Sequence, residues 1–277
     1  MKLSQARVGL LILVAAAATS GCGYINSIRA KSELNETARA YKEKKFADAE
    51  VHARKAIELD GGNEVAPLFL ARTIHAQYRR GDTSESNVAK ANAAIEAYKA
   101  IEQKDPNNDE AFSAVTILLG NINKPDEQRA WVAQRANNEA VSAQRRSDAY
   151  AFLASKDWEC SYNITESPAN KQNVDKGGGN VVIQYKKPKE QQEYDNALKC
   201  TTSGLELAEK GISLNPDNEK AWGQKYNLLL EAKKLAQMDE NTENATRYAK
   251  QADEAATRTK ELRDQRIARE APSPPAS

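Results

Sequence analysis

Histidine is nearly absent, at two residues in 277, and aromatic residues make up only 6% of the chain. So few imidazoles leave little material for general-base or metal chemistry, and neither His52 nor His75 stands near a plausible nucleophile in the sequence. The spacings H-E-x-x-H, G-x-S-x-G, G-x-G-x-x-G and G-x-x-x-x-G-K-[ST] are missing as well. Gly177-Gly178-Gly179 lacks the strand-to-helix setting of a phosphate cradle and reads as a turn. No enzyme, cofactor or metal site is expected. An excess of charge is also lacking: 40 Lys plus Arg face 39 Asp plus Glu, for a formal charge of +1. That balance argues against a nucleic-acid partner, which calls for a basic stripe. Apolar runs are confined to one segment, which excludes a protein with several membrane spans. Cysteine is limited to Cys22, Cys160 and Cys200.

What is present begins with that apolar segment. Lys2 and Arg7 precede the run from Val8 to Thr19, followed by Ser20, Gly21 and Cys22. About 12 apolar residues fall short of the roughly 20 that a spanning helix needs, and match the apolar region of an export signal. The small residues before Cys22 resemble the lipobox of bacterial lipoproteins, with Thr19 standing where that family prefers Leu. The resemblance implies cleavage before Cys22, acylation of its thiol and attachment to a leaflet through the lipid. Cleavage would remove two of the 40 basic residues and leave a formal charge of −1. Gly23 and Tyr24, with no Asp after the cysteine, resemble lipoproteins sorted to the outer membrane, facing the periplasm. Cys160 and Cys200 then remain as an even pair in an oxidising compartment, for which a disulfide is expected. The alternative of a metal or redox pair has neither a CxxC spacing nor a nearby His to support it.

Alanine and charge dominate the remainder, and they recur with a period. Small or apolar residues spaced four and three apart appear as Ala49, Ala53 and Ala56, as Ala94, Tyr98 and Ile101, as Gly204, Ala208 and Gly211, and as Ala245, Ala249 and Ala252. Such spacing keeps one side of a helix narrow enough for a neighbour to approach. The first three stretches end at Asp60-Gly61, Asp105-Pro106 and Asn215-Pro216. After the last two, new helices open with the near copies DPNNDEAF and NPDNEKAW. This pattern resembles the tetratricopeptide repeat family, a helix-turn-helix unit of about 34 residues, over most of residues 32–262. The resemblance implies an all-α helix-turn-helix solenoid of about five repeats. A stretched loop from Arg79 to Asn87 and irregular sequence around Lys124-Pro125 and Trp131 depart from the family pattern.

Between Trp158 and Tyr194 the pattern is interrupted. β-Branched residues on either side of the glycine run predict a hairpin with strands Cys160–Thr165 and Asn180–Lys186, stapled at its base by the disulfide. The expected organisation is therefore signal 1–21, anchor and tether 22–31, repeats 32–157, inserted hairpin 158–193, repeats and capping helix 194–268, and a Pro-rich tail 269–277. The repeat resemblance implies a groove lined by the first helix of each pair. In that frame its polar positions are Asn35, Arg39 and Lys42, then Arg72 and His75, then Lys220, Gln224 and Asn227. These basic and amide groups suit an acidic or extended peptide. The expected role is a membrane-anchored scaffold that binds protein partners in envelope assembly or secretion. A glycan-binding or enzyme-accessory module using Trp158, Tyr162 and Tyr185 is the alternative, and self-association into a homo-oligomer a third.

Overall fold

The structure is a computed structural model that describes residues 3–270, with side chains described from residue 23. Among them are ten α-helices and one two-stranded antiparallel sheet. The helices are α1 (Leu3–Lys42), α2 (Phe46–Leu59), α3 (Ala66–Ala76), α4 (Glu85–Lys104), α5 (Asp109–Asn121), α6 (Pro125–Asn137), α7 (Ala143–Thr165), α8 (Gln191–Leu214), α9 (Glu219–Met238) and α10 (Thr242–Glu270). The strands β1 (Lys171–Asp175) and β2 (Val181–Tyr185) lie between α7 and α8. The chain divides into two compact units, one ending at Gln128 and the other starting at Arg129. In the first, α1 packs on α2, α2 on α3, α3 on α4 and α4 on α5, and α1 also touches α3. In the second, α7 packs on α8, α8 on α9 and α9 on α10, with α7 also against α9. Ten helices in five pairs make this the helix-turn-helix repeat fold expected from the periodicity.

The turns repeat more faithfully than the sequence does. After α2, α4 and α8 the chain makes the same Asx-x-x-Asn turn. The Asp60, Asp105 and Asn215 side chains accept from the amides of Gly62, Asn107 and Asp217, two residues on. Asn63, Asn108 and Asn218 follow, each side chain accepting from amides at the start of the next helix, including those of Ala66, Ala111 and Ala221. These asparagines satisfy amides that would otherwise lack a partner, which is why the two phrases read as copies. Within pairs, α1 turns into α2, α5 into α6 and α9 into α10 through a single left-handed residue: Lys44 (φ 62°), Asn123 (φ 55°) and Glu240 (φ 56°). The next amide then reaches back to Ala40, Leu119 or Ala236, each at 2.9 Å, the six-to-one bond of a helix C-terminus. The stretch around Lys124-Pro125, irregular in sequence, is therefore regular in backbone.

The two remaining pairs carry longer connections. Between α3 and α4, the buried Asn87 gathers the loop, donating to the carbonyls of Arg79 (2.9 Å) and Asp82 (2.7 Å) while accepting from the Arg79 amide (2.8 Å). Between α7 and α8 lies the hairpin, and here one expectation is corrected. Cys160–Thr165 is the last part of α7, not a strand; the first strand is Lys171–Asp175, paired with Val181–Tyr185 in the register Asn173 to Ile183. Ser161 and Thr165 lie fully buried, four apart on one helix face, so packing overrides their β-branched and aromatic neighbourhood. The non-helical insert is thus shorter than residues 158–193. The glycine run is the turn, with positive φ at Gly177, Gly178 and Gly179.

The small residues of the repeats face neighbouring helices. Ala49, Ala53, Ala56, Ala94 and Ala208 have no exposed surface. A methyl group on Gly204 would lie 2.6 Å from Leu228, and one on Gly211 would lie 3.2 Å from the Ser147 carbonyl and 3.3 Å from Ala221. The disulfide joins Cys160 to Cys200 and so ties α7 to α8 rather than the base of the hairpin. The Cys22 side chain and the tail residues 271–277 lie outside the described residues. Residues 23–29, expected as a tether, continue α1 as helix, with Tyr24, Ile25 and Ile28 exposed. No described helix is long and apolar enough to cross a membrane.

Candidate functional site

In the first unit, the helices that open each pair border a cavity of about 490 Å³. Tyr41 comes from α1, Arg72, His75 and Ala76 from α3, and Glu110 and Asn121 from α5, with Tyr98 of α4 beneath. Tyr98 is buried, and His75 meets its ring edge-on with centroids 5.9 Å apart. Burial pushes the Tyr98 hydroxyl up to about 12 and lowers His75 below its ordinary value, so both are neutral near pH 7. At the rim, Arg72 donates through Nε and a terminal nitrogen to the two carboxylate oxygens of Glu110, both at 2.5 Å. That fork holds the Glu110 carboxyl below the usual carboxylate range and raises the guanidinium. The surface offers a neutral aromatic floor beside a charge pair that can exchange partners. It suits an amphipathic or extended peptide and provides no group poised for proton transfer or nucleophilic attack.

The sequence-derived positions divide between the two units. Arg72 and His75 border the cavity. Asn35, Arg39 and Lys42 lie exposed along α1 without lining it, and Arg39 pairs with Glu36 on its own helix. In the second unit, Lys220, Gln224 and Asn227 share one side of α9. Lys220 is exposed with Asp148 of α7 at 3.8 Å, and the Gln224 carbonyl oxygen is buried with no hydrogen-bond partner. Tyr78, Arg80, Glu110 and Asn121 were not among the groove positions expected from sequence. Tyr41 and Tyr98 stood in the periodic pattern only as packing residues.

A second cluster joins the hairpin to the helices of its unit. Glu231 of α9 is almost fully buried; its carboxylate accepts from Thr165 Oγ1 at 2.6 Å and contacts Lys234 Nζ at 2.7 Å. Lys234 also donates to Glu166 at 2.7 Å, and Glu166 accepts further from Lys171 (2.7 Å) and from the Tyr185 hydroxyl (2.9 Å). Burial alone would raise the Glu166 carboxyl, yet the bonds from Lys171, Lys234 and Tyr185 outweigh it and hold it at about 2. The Lys234 ammonium lies 5.0 Å from the Tyr162 ring centre and 5.2 Å from that of Tyr185. Two of the aromatics named for glycan contact therefore each have a face against this cation. Among the described residues no group of three His, Cys, Asp or Glu side chains could hold a metal ion.

No protein-family model and no curated protein matches the chain. Among solved structures, a MamA protein is 16% identical, with a TM-score of 0.41 over 89% of this chain and 98% of that one. PilF of Pseudomonas aeruginosa is 14% identical, with a TM-score of 0.38 over 87% of this chain and 99% of that one. The TPR2AB domain of yeast Sti1, solved as a complex with pHSP90, is 16% identical, with a TM-score of 0.29 over 83% of this chain and 98% of that one.

Proposed function

We propose that this chain is a lipid-anchored, periplasm-facing repeat scaffold of the cell envelope, which binds a protein segment rather than transforming it. The carrying observation is the cavity on the α1, α3 and α5 faces, where Tyr41, His75 and Tyr98 present rings beside the Arg72 to Glu110 fork. An acidic side chain of a bound peptide can take over the guanidinium from Glu110, and the rings give its apolar neighbours a surface. The anchor rests on Lys2, Arg7, the apolar run and Cys22. A role in outer-membrane assembly or secretion follows from that location combined with a binding surface.

The test places a photo-crosslinking residue at Tyr41 and, separately, at the exposed Val51 of α2, in cells carrying the native membrane form. The reading expects a discrete protein adduct from position 41, lost in Arg72→Glu and absent from position 51. Equal adducts from both positions, or an adduct indifferent to Arg72→Glu, overturn the groove. For the anchor, palmitate labelling that disappears in Cys22→Ala, together with release of that variant from membranes, is expected; a Cys22→Ala protein that stays membrane-bound overturns it.

A further inference from the structure

The hairpin leaves one side of β2 open. The amides of Lys176 and Lys186 donate to the carbonyls of Asn180 and Asn170, both at 2.8 Å, and so bracket the ladder. In an antiparallel pair hydrogen-bonded positions alternate, so Val182 and Gln184 exchange bonds with Val174 and Gln172. The N–H and C=O groups of Val181, Ile183 and Tyr185 consequently point away from β1. Alongside lies a cavity of about 520 Å³, walled by β2 on one side and on the other by Lys233 and Gln237 of α9 and Ala245 and Ala249 of α10. Val181 and Ile183 share a strand face with Tyr185, which packs against the Leu235 and Met238 cluster, yet both remain more than half exposed. An uncharged, β-branched edge strand with free backbone groups is a template for another strand.

We propose that this groove binds one extended segment of a partner protein, which adds to the β2 edge through its backbone and places alternate apolar side chains over Ile183 and Ala249. Lys176 and Lys233 border the cavity without a carboxylate partner among the described residues, while Glu240 is the acidic group on its wall. The segment therefore carries an acidic residue beside its apolar positions. The site is separate from the α1, α3 and α5 cavity and shares no residue with it, so either can fail alone.

The experiment uses the full mature chain in detergent. The probe is a fluorescent, end-blocked seven-residue peptide of alternating valine and threonine with aspartate at both ends, followed by anisotropy. Saturable binding is expected, weakened at least about tenfold by Ala249→Trp, which fills the groove from a helix surface, and by methylation of alternate peptide nitrogens, which removes the edge bonds. Ile183→Pro is a second variant, since that nitrogen makes no ladder bond and an edge strand tolerates proline. Replacing the aspartates with lysine is expected to weaken binding by a similar factor. Circular dichroism confirms that each variant stays folded. No saturable binding, equal affinity for the methylated peptide, or indifference to Ala249→Trp overturns the proposal. Light scattering that shows a wild-type dimer dissolved by Ile183→Pro overturns it in favour of a second copy of the chain.

Discussion

Lys234 Nζ lies 2.7 Å from Oε1 of Glu231, a carboxylate with 1% of its side-chain surface exposed. The same ammonium meets Glu166 at 2.7 Å, so it bridges two carboxylates of the second unit, with Lys171 as a second cation on Glu166. Removing one partner of a buried pair leaves an uncompensated charge, whereas replacing the group with apolar residues is far less costly. Lys234→Met is expected to lower the unfolding free energy by about 3–5 kcal/mol. The double variant Lys234→Met, Glu231→Leu is expected to recover part of that loss, which urea unfolding of the two proteins measures.

Acid acts on the same cluster. The Glu166 carboxyl is held at about 2 in the folded protein, against an ordinary value of 4.5. Because the folded value is depressed, its stabilisation is fully present above the ordinary carboxylate range and is lost as pH falls from about 4.5 towards about 2. Thermal melts across that window are expected to show a falling midpoint, and Glu166→Gln is expected to lower the midpoint near neutrality while flattening its pH dependence.

Gly211 tests the close approach of helices. Its carbonyl accepts from Ser147 Oγ at 2.7 Å, and a methyl there meets backbone and Ala221 rather than a flexible side-chain end. Gly211→Ala gains helix propensity but loses more to crowding, for a net destabilisation of about 1–3 kcal/mol by denaturant titration. Gly204→Ala meets both methyls of the fully buried Leu228, at 2.6 and 2.9 Å, and the Asp157 Cβ at 3.0 Å, and is expected to cost at least as much.

Asn63 and Asn218 occupy the same place in two junctions but differ in burden. Asn218 caps α9 and also donates to Ser147 Oγ (2.7 Å) and Asp148 (3.0 Å). Loss of a cap costs about 1 kcal/mol, and an unsatisfied buried group adds to that. Asn218→Ala is therefore expected to lower the melting temperature more than Asn63→Ala.

Helix pairing and its junctions were legible because Asx-Pro and Asn punctuate them in the sequence. The turns at Lys44, Asn123 and Glu240 were not, since each places an ordinary residue in a left-handed conformation that glycine would have announced. The first hairpin strand was misplaced for a related reason: Lys171–Asp175 is short and polar, while the β-branched residues before it are buried in α7. Arg72 and His75, placed on the groove by the repeat frame, line the first-unit cavity. Glu110 could not, because a carboxylate in the first turn of a helix looks like ordinary dipole compensation until Arg72 is seen across from it.

The bond between Cys160 and Cys200 closes a ring that contains the whole hairpin. Proteolysis at the exposed Gly177–Gly179 turn therefore opens the backbone without separating its halves. A nicked molecule is expected to run as one band on a non-reducing gel and as two fragments after reduction. The protein can in this way lose the continuity of its chain and still keep α7 and α8 covalently joined, so that a protease would cut the hairpin without dissolving the repeat that carries it.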